Sequence, residues 1–186
     1  AAAHATLGMA LPRFVPAHPI AGKESAGIDH AEAHLYVHRQ VFLTPTVDTD
    51  PSYTAKAQAI WQATGAQVGI LEAPFHDQTF AAVSHLPHLL AFAYFQAIAE
   101  QPAARDYLSL AGPGFRDFTR IAASDPVMWR DIFLNNREAV LEVLQRFQED
   151  LFYLQRAIRW GEGDKLFDLF TRTREIRRAL IHLHQE

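Results

Sequence analysis

The sequence predicts a mainly α protein in two parts: an incomplete α/β portion, then an all-helical one. Three observations lead there. Apolar runs in the first third alternate strand, helix, strand, the signature of an α/β sheet. From about residue 72 onward the apolar positions recur at helical spacing instead. Three short strands also make a sheet with open edges, a liability unless covered, so the first part reads as a piece of a larger sheet. The expected division is 1–72 for the α/β portion and 73–186 for the helical portion.

Taken in order, the opening AAAHATLGMAL is apolar but lacks the positive n-region of a secretory signal. It reads as a short helix entering a strand at residues 13–15, which ends at Pro16. Residues 41–44 form a second strand, closed by Pro45. Asp50-Pro51 starts a helix, with Ala55, Ala59, Ile60 and Ala63 at helical spacing and Gly65 as its stop. Residues 67–71 are the third strand. A long periodic segment follows over residues 76–100, with Pro87 inside it, where a missing donor kinks or splits a helix. After the loop Ala111-Gly112-Pro113-Gly114, a helix is expected over residues 115–123. Ser124-Asp125-Pro126 then supplies an N-cap candidate and a proline at a helix start. The next helix runs over residues 136–160, with Val140, Leu144, Phe147, Leu151 and Leu154 on one stripe. Gly161 and Gly163 break it, and a last helix covers residues 165–184.

Composition narrows the function classes. The 186 residues include 17 basic and 21 acidic side chains, a formal charge of −4, whereas coating nucleic acid needs clustered positive charge. No cysteine is present, which removes disulfides, thiolate metal sites and cysteine nucleophiles. No apolar run reaches the ~18 residues of a membrane span. The expectation is an intracellular, cytoplasmic protein that engages neither nucleic acid nor membrane. Ten histidines is a high count, and the chain begins at Ala1 rather than methionine.

Three clusters carry residues suited to chemistry. His18 follows the first strand, where α/β sheets place ligands. An imidazole titrating near ~6.5 suits proton transfer; the alternative is a loop histidine bonded to its own turn. His85 and His88 lie at i and i+3 around Pro87. They read as a metal pair, as a buried histidine bonded to a carbonyl left free by the proline, or as a donor to an anionic substrate. No HExxH-type glutamate accompanies them, which weakens the metal reading. Arg116, Asp117 and Arg120 let the carboxylate orient Arg120 at i, i+3, making a rigid fork for a ligand carboxylate or merely a surface ion pair. Trp129 reads as a core or interface residue, and Arg172, Arg174, Arg177 and Arg178 as a solvated helix face.

Six strings together carry a resemblance: His18-Pro19-Ile20-Ala21-Gly22, Leu43-Thr44-Pro45-Thr46, His76-Asp77, Ser84-His85-Leu86-Pro87-His88, residues 114–120 (GFRDFTR) and residues 124–131 (SDPVMWRD). From about residue 13 to 158, their order and spacing resemble the prephenate dehydrogenase family. The resemblance implies a Rossmann-type remnant followed by a helical dimerisation domain like that of 6-phosphogluconate dehydrogenase-type enzymes. It implies an enzyme of tyrosine biosynthesis that oxidatively decarboxylates prephenate, or its amino analogue arogenate, with NAD or NADP. By the same carry-over His18 takes the proton of the ring hydroxyl, while His88 and Arg120 bind substrate carboxylates with Asp117 bracing Arg120. Gly114 and Trp129 join the substrate site, Trp129 reaching the partner's site in a homodimer, and Pro19 and Ile20 lie against the cofactor. His76 and His85 are expected to be structural, and no metal is implied.

One departure qualifies the resemblance. The family opens with a G-x-G-x-x-G turn that receives the cofactor pyrophosphate, and no such string occurs here. The chain is therefore expected to be a carboxy-terminal portion that by itself is inactive and binds dinucleotide weakly. A non-catalytic dimerisation or aromatic-effector-binding module is the alternative.

Overall fold

The computed structural model describes residues 2–22 and 27–180. Its sheet has the order β1-β2-β3, with β1 at Ala17–Pro19, β2 at Gln40–Leu43 and β3 at Gln67–Ile70. The middle strand carries the alternation that a sheet needs. Val41 and Leu43 are fully buried, and Val15, Tyr36, Ala57, Ala66, Trp61 and Val68 pack against them. β2 and β3 run parallel, Val41 opposite Val68 and Leu43 opposite Ile70. A parallel pair needs a crossover, and helix α2, Pro51–Ala63, supplies it; the short α1, Ala2–Thr6, lies at the start of the chain.

The boundaries of α2 follow from local chemistry. The Asp50 carboxylate accepts from the Ser52 N–H at 2.8 Å, capping the helix, and Pro51 occupies the first turn, where its missing N–H is not needed. Gly65 stops it with φ +85°, a backbone conformation that a Cβ disfavours.

The first strand lies elsewhere than the sequence suggests. Residues 8–13 coil into a 3-10 turn containing Pro12, and the pairing residues are Ala17, His18 and Pro19, antiparallel to Leu43, Phe42 and Val41. Flanking bonds, Thr44 N–H to Pro16 O at 3.0 Å and Ile20 N–H to Gln40 O at 2.8 Å, extend this edge. A strand at a sheet edge tolerates a proline, which lacks one donor. His18 is thus in the middle of β1 rather than beyond a strand end.

Helix α3, Ala73–Phe80, continues through a π turn at Ala81–His85 into α4, Leu86–Ala99. Pro87 neither ends nor sharply breaks the run. The Leu86 N–H reaches back five residues to Ala81 O, and this wider turn places Pro87 in the first turn of a new helical segment. Then come α5 (Ala104–Ser109), a one-and-a-half-turn helix the sequence did not announce, and α6 (Pro113–Thr119). A 3-10 turn at Arg120–Ala123 leads to α7, Pro126–Asn135. Asp125, rather than Ser124, caps α7, accepting from Met128 N–H at 2.7 Å. Tyr94 on α4 meets Phe115 and Phe118 of α6 at ring separations of 5.7 and 5.8 Å, which sets α6 and the Arg120 turn against α4.

Helices α8 (Arg137–Arg159) and α9 (Gly163–Leu180) complete the described chain; the expected extension of the last helix to His184 lies outside the described residues. Gly161, at φ +66°, ends α8, while Gly163 begins α9 instead of breaking the chain. Two compact units result, Ala1–Ala139 and Val140–Glu186. The sheet and helices α3 to α7 fall in the first of these units. In the second unit Leu151, Phe152, Ile158, Trp160, Phe167 and Phe170 are all exposed.

Candidate active site

The site is built from β1, the α3–π turn–α4 run and the start of α7, all within the first unit. His18 sits between strand and helix: its ring lies 4.6 Å from that of Phe80, and its Nδ1 is 2.9 Å from His76 Nε2. His76 Nδ1 is in turn 2.9 Å from Asp77 Oδ1. Burial, reinforced by the nearby His76, holds the His18 pKa below its ordinary value, so this imidazole is neutral at pH 7. His18 Nε2 has no hydrogen-bond partner among the described residues and is not shut off from solvent. A neutral imidazole with an open nitrogen can accept a proton.

A second group lies along the same run. The His88 Nδ1–H donates to Ser84 O at 2.9 Å, a backbone carbonyl one helical turn back. Its ring is stacked on Trp129, 3.7 Å between centroids at 21°. Burial lowers the His88 pKa, the Ser84 hydrogen bond opposes this, and the charge of Arg120 adds to the lowering. Neutral His88 therefore offers a lone pair at Nε2; holding a carboxylate through that atom requires a second proton. Arg120 is exposed at the start of its turn, close enough to act on His88 electrostatically.

His85 stands between the two groups. Asn136 Nδ2–H donates both to Asp77 O at 2.8 Å and to His85 Nδ1 at 3.2 Å, which puts the proton of neutral His85 on Nε2. Burial is again the main cause of its lowered pKa, with the charges of His18, His76 and His88 acting the same way and Asp77 opposing. Trp129 is 6% exposed, flanked by His85 and Phe133, and its Nε1–H is buried without a partner among the described residues.

The remaining expected residues are placed as follows. Asp117 and Gly114 are exposed on α6, and a Cβ at Gly114 would meet nothing within 4 Å, so nothing here requires glycine. Pro19 and Ile20 lie on or next to β1, and the Ile20 N–H is committed to Gln40 O. Trp129, implied to reach a partner's site, is here a wall of its own chain's histidine cluster. Sequence reasoning used His76-Asp77 only as a family string and expected His76 to be structural, and it passed over Asn136. The adjacent His-Asp pair at a helix start was a usable signal for the first two; Asn136 had none. Among the described residues no group of three or more His, Asp or Glu is placed to hold a metal ion, and no helix is long and apolar enough to cross a membrane.

A dinucleotide pyrophosphate is received at a glycine-rich turn between strand and helix. The junction from β2 to α2 reads Thr44-Pro45-Thr46-Val47-Asp48-Thr49-Asp50, and that from β3 to α3 reads Leu71-Glu72. Both lack glycine and carry carboxylates. These residues do not fit a pyrophosphate.

This small mixed sheet followed by packed helices, with histidines meeting between strand and helix, has counterparts among solved structures. It is similar to a prephenate dehydrogenase from Aquifex aeolicus, solved with hydroxyphenyl propionate and NAD+, at TM-score 0.84 and 37% identity over 91% of this chain and 59% of that one. It is similar too to Synechocystis arogenate dehydrogenase, at TM-score 0.78 and 31% identity over 89% of this chain and 61% of that one. The chain belongs to the prephenate dehydrogenase family: residues 72–172 match the model of that family's dimerization domain and residues 2–70 that of its nucleotide-binding domain. Among curated relatives, a cyclohexadienyl dehydrogenase of Zymomonas mobilis is 36% identical over 90% of this chain and 58% of its own length. A prephenate dehydrogenase of Bacillus subtilis is 28% identical over 90% of this chain and 46% of its own length. The chain thus spans about half the length of the curated relatives it matches.

Proposed function

We propose that this chain carries the substrate-handling part of an NAD(P)-dependent dehydrogenase that converts prephenate to 4-hydroxyphenylpyruvate and carbon dioxide, with arogenate as the alternative substrate, in tyrosine biosynthesis. The observation that carries the reading is His18: neutral, bonded through Nδ1 and open at Nε2, in a chain of this family. In the reaction His18 accepts the proton of the ring hydroxyl as that carbon gives up its hydride, for which NAD(P)+ would be the acceptor; loss of the ring carboxylate as carbon dioxide leaves its bonding electrons to complete the aromatic ring. The protein's share is to orient the ring and remove one proton.

The substrate carries two carboxylates. Arg120, braced by Asp117, takes one; His88, charged on contact with the anion, takes the other, with Trp129 stacked behind it and Gly114 at the rim. Pro19 and Ile20 lie on the cofactor side, and the cofactor's pyrophosphate is assigned to none of these residues. Residues 1–72 act as the tail of a nucleotide-binding domain and 73–186 as a dimerisation and substrate-binding domain. The enzyme is a cytoplasmic homodimer joined through the apolar faces of α8 and α9, and sedimentation giving a monomer at micromolar concentration overturns that assembly.

The test of the activity is His18→Asn in the enzyme, followed through reduced-nicotinamide absorbance. Loss of a positioned base typically costs about 10²–10⁴ in rate. Turnover is expected to fall by that factor with substrate binding retained; undiminished turnover overturns the assignment.

A further inference from the structure

His76, paired with Asp77, has a bond to His18 that the proposed reaction does not itself require. A carboxylate only accepts hydrogen bonds, so the 2.9 Å contact between Asp77 Oδ1 and His76 Nδ1 places a proton on that nitrogen. Neutral His76 then has a bare Nε2, an acceptor. The 2.9 Å contact from this atom to His18 Nδ1 requires the His18 proton on Nδ1, which leaves Nε2 as a lone pair. We infer that His76, held by Asp77, is a positioning residue that fixes the tautomer and tilt of His18, so that its Nε2 is always the proton-accepting atom. This rests on the reading of His18 as the base.

The surroundings support a fixed rather than a rotating pair of rings. Phe80 packs on both imidazoles at 4.6 Å, and Phe42 backs Phe80 at 5.9 Å. The ring centroids are 5.1 Å apart with the planes twisted by 68°, and with 2.9 Å between the nitrogens both nitrogens lie close to the line joining the rings, the geometry of an in-plane N–H aimed at an in-plane lone pair. His76 is largely covered, at 17% exposure, whereas Asp77 is 58% exposed. His76 is therefore the better-held member, and Asp77 acts through it in competition with water. Protonated His76 donates from both nitrogens, turns His18 Nδ1 into an acceptor and moves the His18 proton to Nε2, blocking the base. The arrangement works only with His76 neutral.

The experiment reads the tautomer directly. Histidine-selective ¹⁵N labelling with long-range ¹H–¹⁵N correlation, at pH 7.5 on the enzyme without substrate, distinguishes protonated from bare ring nitrogens. The wild type is expected to show His18 protonated at Nδ1 and bare at Nε2. In His76→Phe the acceptor is gone; the His18 signals move toward a mixture of the two tautomers, and kcat falls about 10–100-fold at nearly unchanged KM, since a wrong tautomer costs up to ~10⁴ in a triad enzyme. His76→Gln retains a carbonyl acceptor and is expected to restore the tautomer and most of kcat. The His88 Nδ1 signal, bonded to Ser84 O, reports in each variant that the unit is still folded. An Nε2-protonated His18 in the wild type, or an His76→Phe enzyme with unchanged tautomer and kcat, overturns the inference. Those results leave the base assignment standing if His18→Asn still abolishes turnover, whereas an active His18→Asn enzyme removes the base assignment and this inference together.

Discussion

Replacing Trp129 separates what its ring contributes from what its buried N–H costs. The side chain is 6% exposed and stacked on His88, so truncation to alanine forfeits nearly all its burial, about 3–5 kcal/mol for an aromatic residue. Phenylalanine keeps a ring against His88 and Phe133 but removes two things. It buries up to roughly 100 Å² less apolar surface, a loss of about 2.5 kcal/mol at ~25 cal/mol per Å². It also removes the unpartnered Nε1–H, which relieves about 1–3 kcal/mol of desolvation penalty. The two effects largely offset each other, so Trp129→Phe is expected to lie within about 1.5 kcal/mol of the wild type and Trp129→Ala about 3–5 kcal/mol below it. Because the chain has two compact units, one melting temperature does not isolate the effect. Native-state hydrogen exchange of amides in α4 and α7 reads it in the relevant unit. If Trp129→Phe loses as much protection as Trp129→Ala, the indole N–H has a partner in solution and the reasoning fails.

Two further outcomes follow from named features. Burial lowers the pKa of His18, His85 and His88, with the charges of His76, Arg120 and one another adding to it and Asp77 and the Ser84 carbonyl opposing. The unfolded chain therefore binds more protons than the native one below pH ~6.5. The urea midpoint of the first unit is expected to be flat from about pH 7.5 to 8.5 and to fall as the pH drops through ~6.5 toward the lowered folded-state values; a midpoint that rises between pH 7 and 5.5 contradicts this. At Gly65, φ is +85° and a Cβ would sit 3.1 Å from Val37 Cγ2 and 3.3 Å from Val37 Cα. Gly65→Ala is expected to cost about 1–2 kcal/mol or more, measured by urea unfolding, and an equally stable variant removes the strain argument.

Much of the framework was legible because its signals are local. Asp50-Pro51 and Gly65 bracket α2, Asp125-Pro126 opens α7, and the valine- and leucine-bearing strands β2 and β3 fall within a residue of their expected places. Each of these depends on a side chain and the backbone within one turn of it. The misplaced first strand had no such signal, since an edge strand of three residues is defined by what it pairs with. Pro87 was legible as an irregularity but not as a π turn, because the wider turn depends on how α3 and α4 pack as one run.

The candidate site divides along the same line. By itself the sequence determined the family, through six strings in register, and supplied the residues proposed for the reaction and for substrate binding: His18, His88 and Arg120. Only the tertiary structure decided that His76, 58 residues from His18 along the chain, touches it, that His88 spends its Nδ1 proton on Ser84, and that Trp129 lies against His88. A hydrogen bond is set to within a few tenths of an ångström between groups drawn from any part of the chain. Spacing along the sequence measures such distances only within a helix turn or a strand, and the proton positions that define a base follow from contacts that lie beyond it.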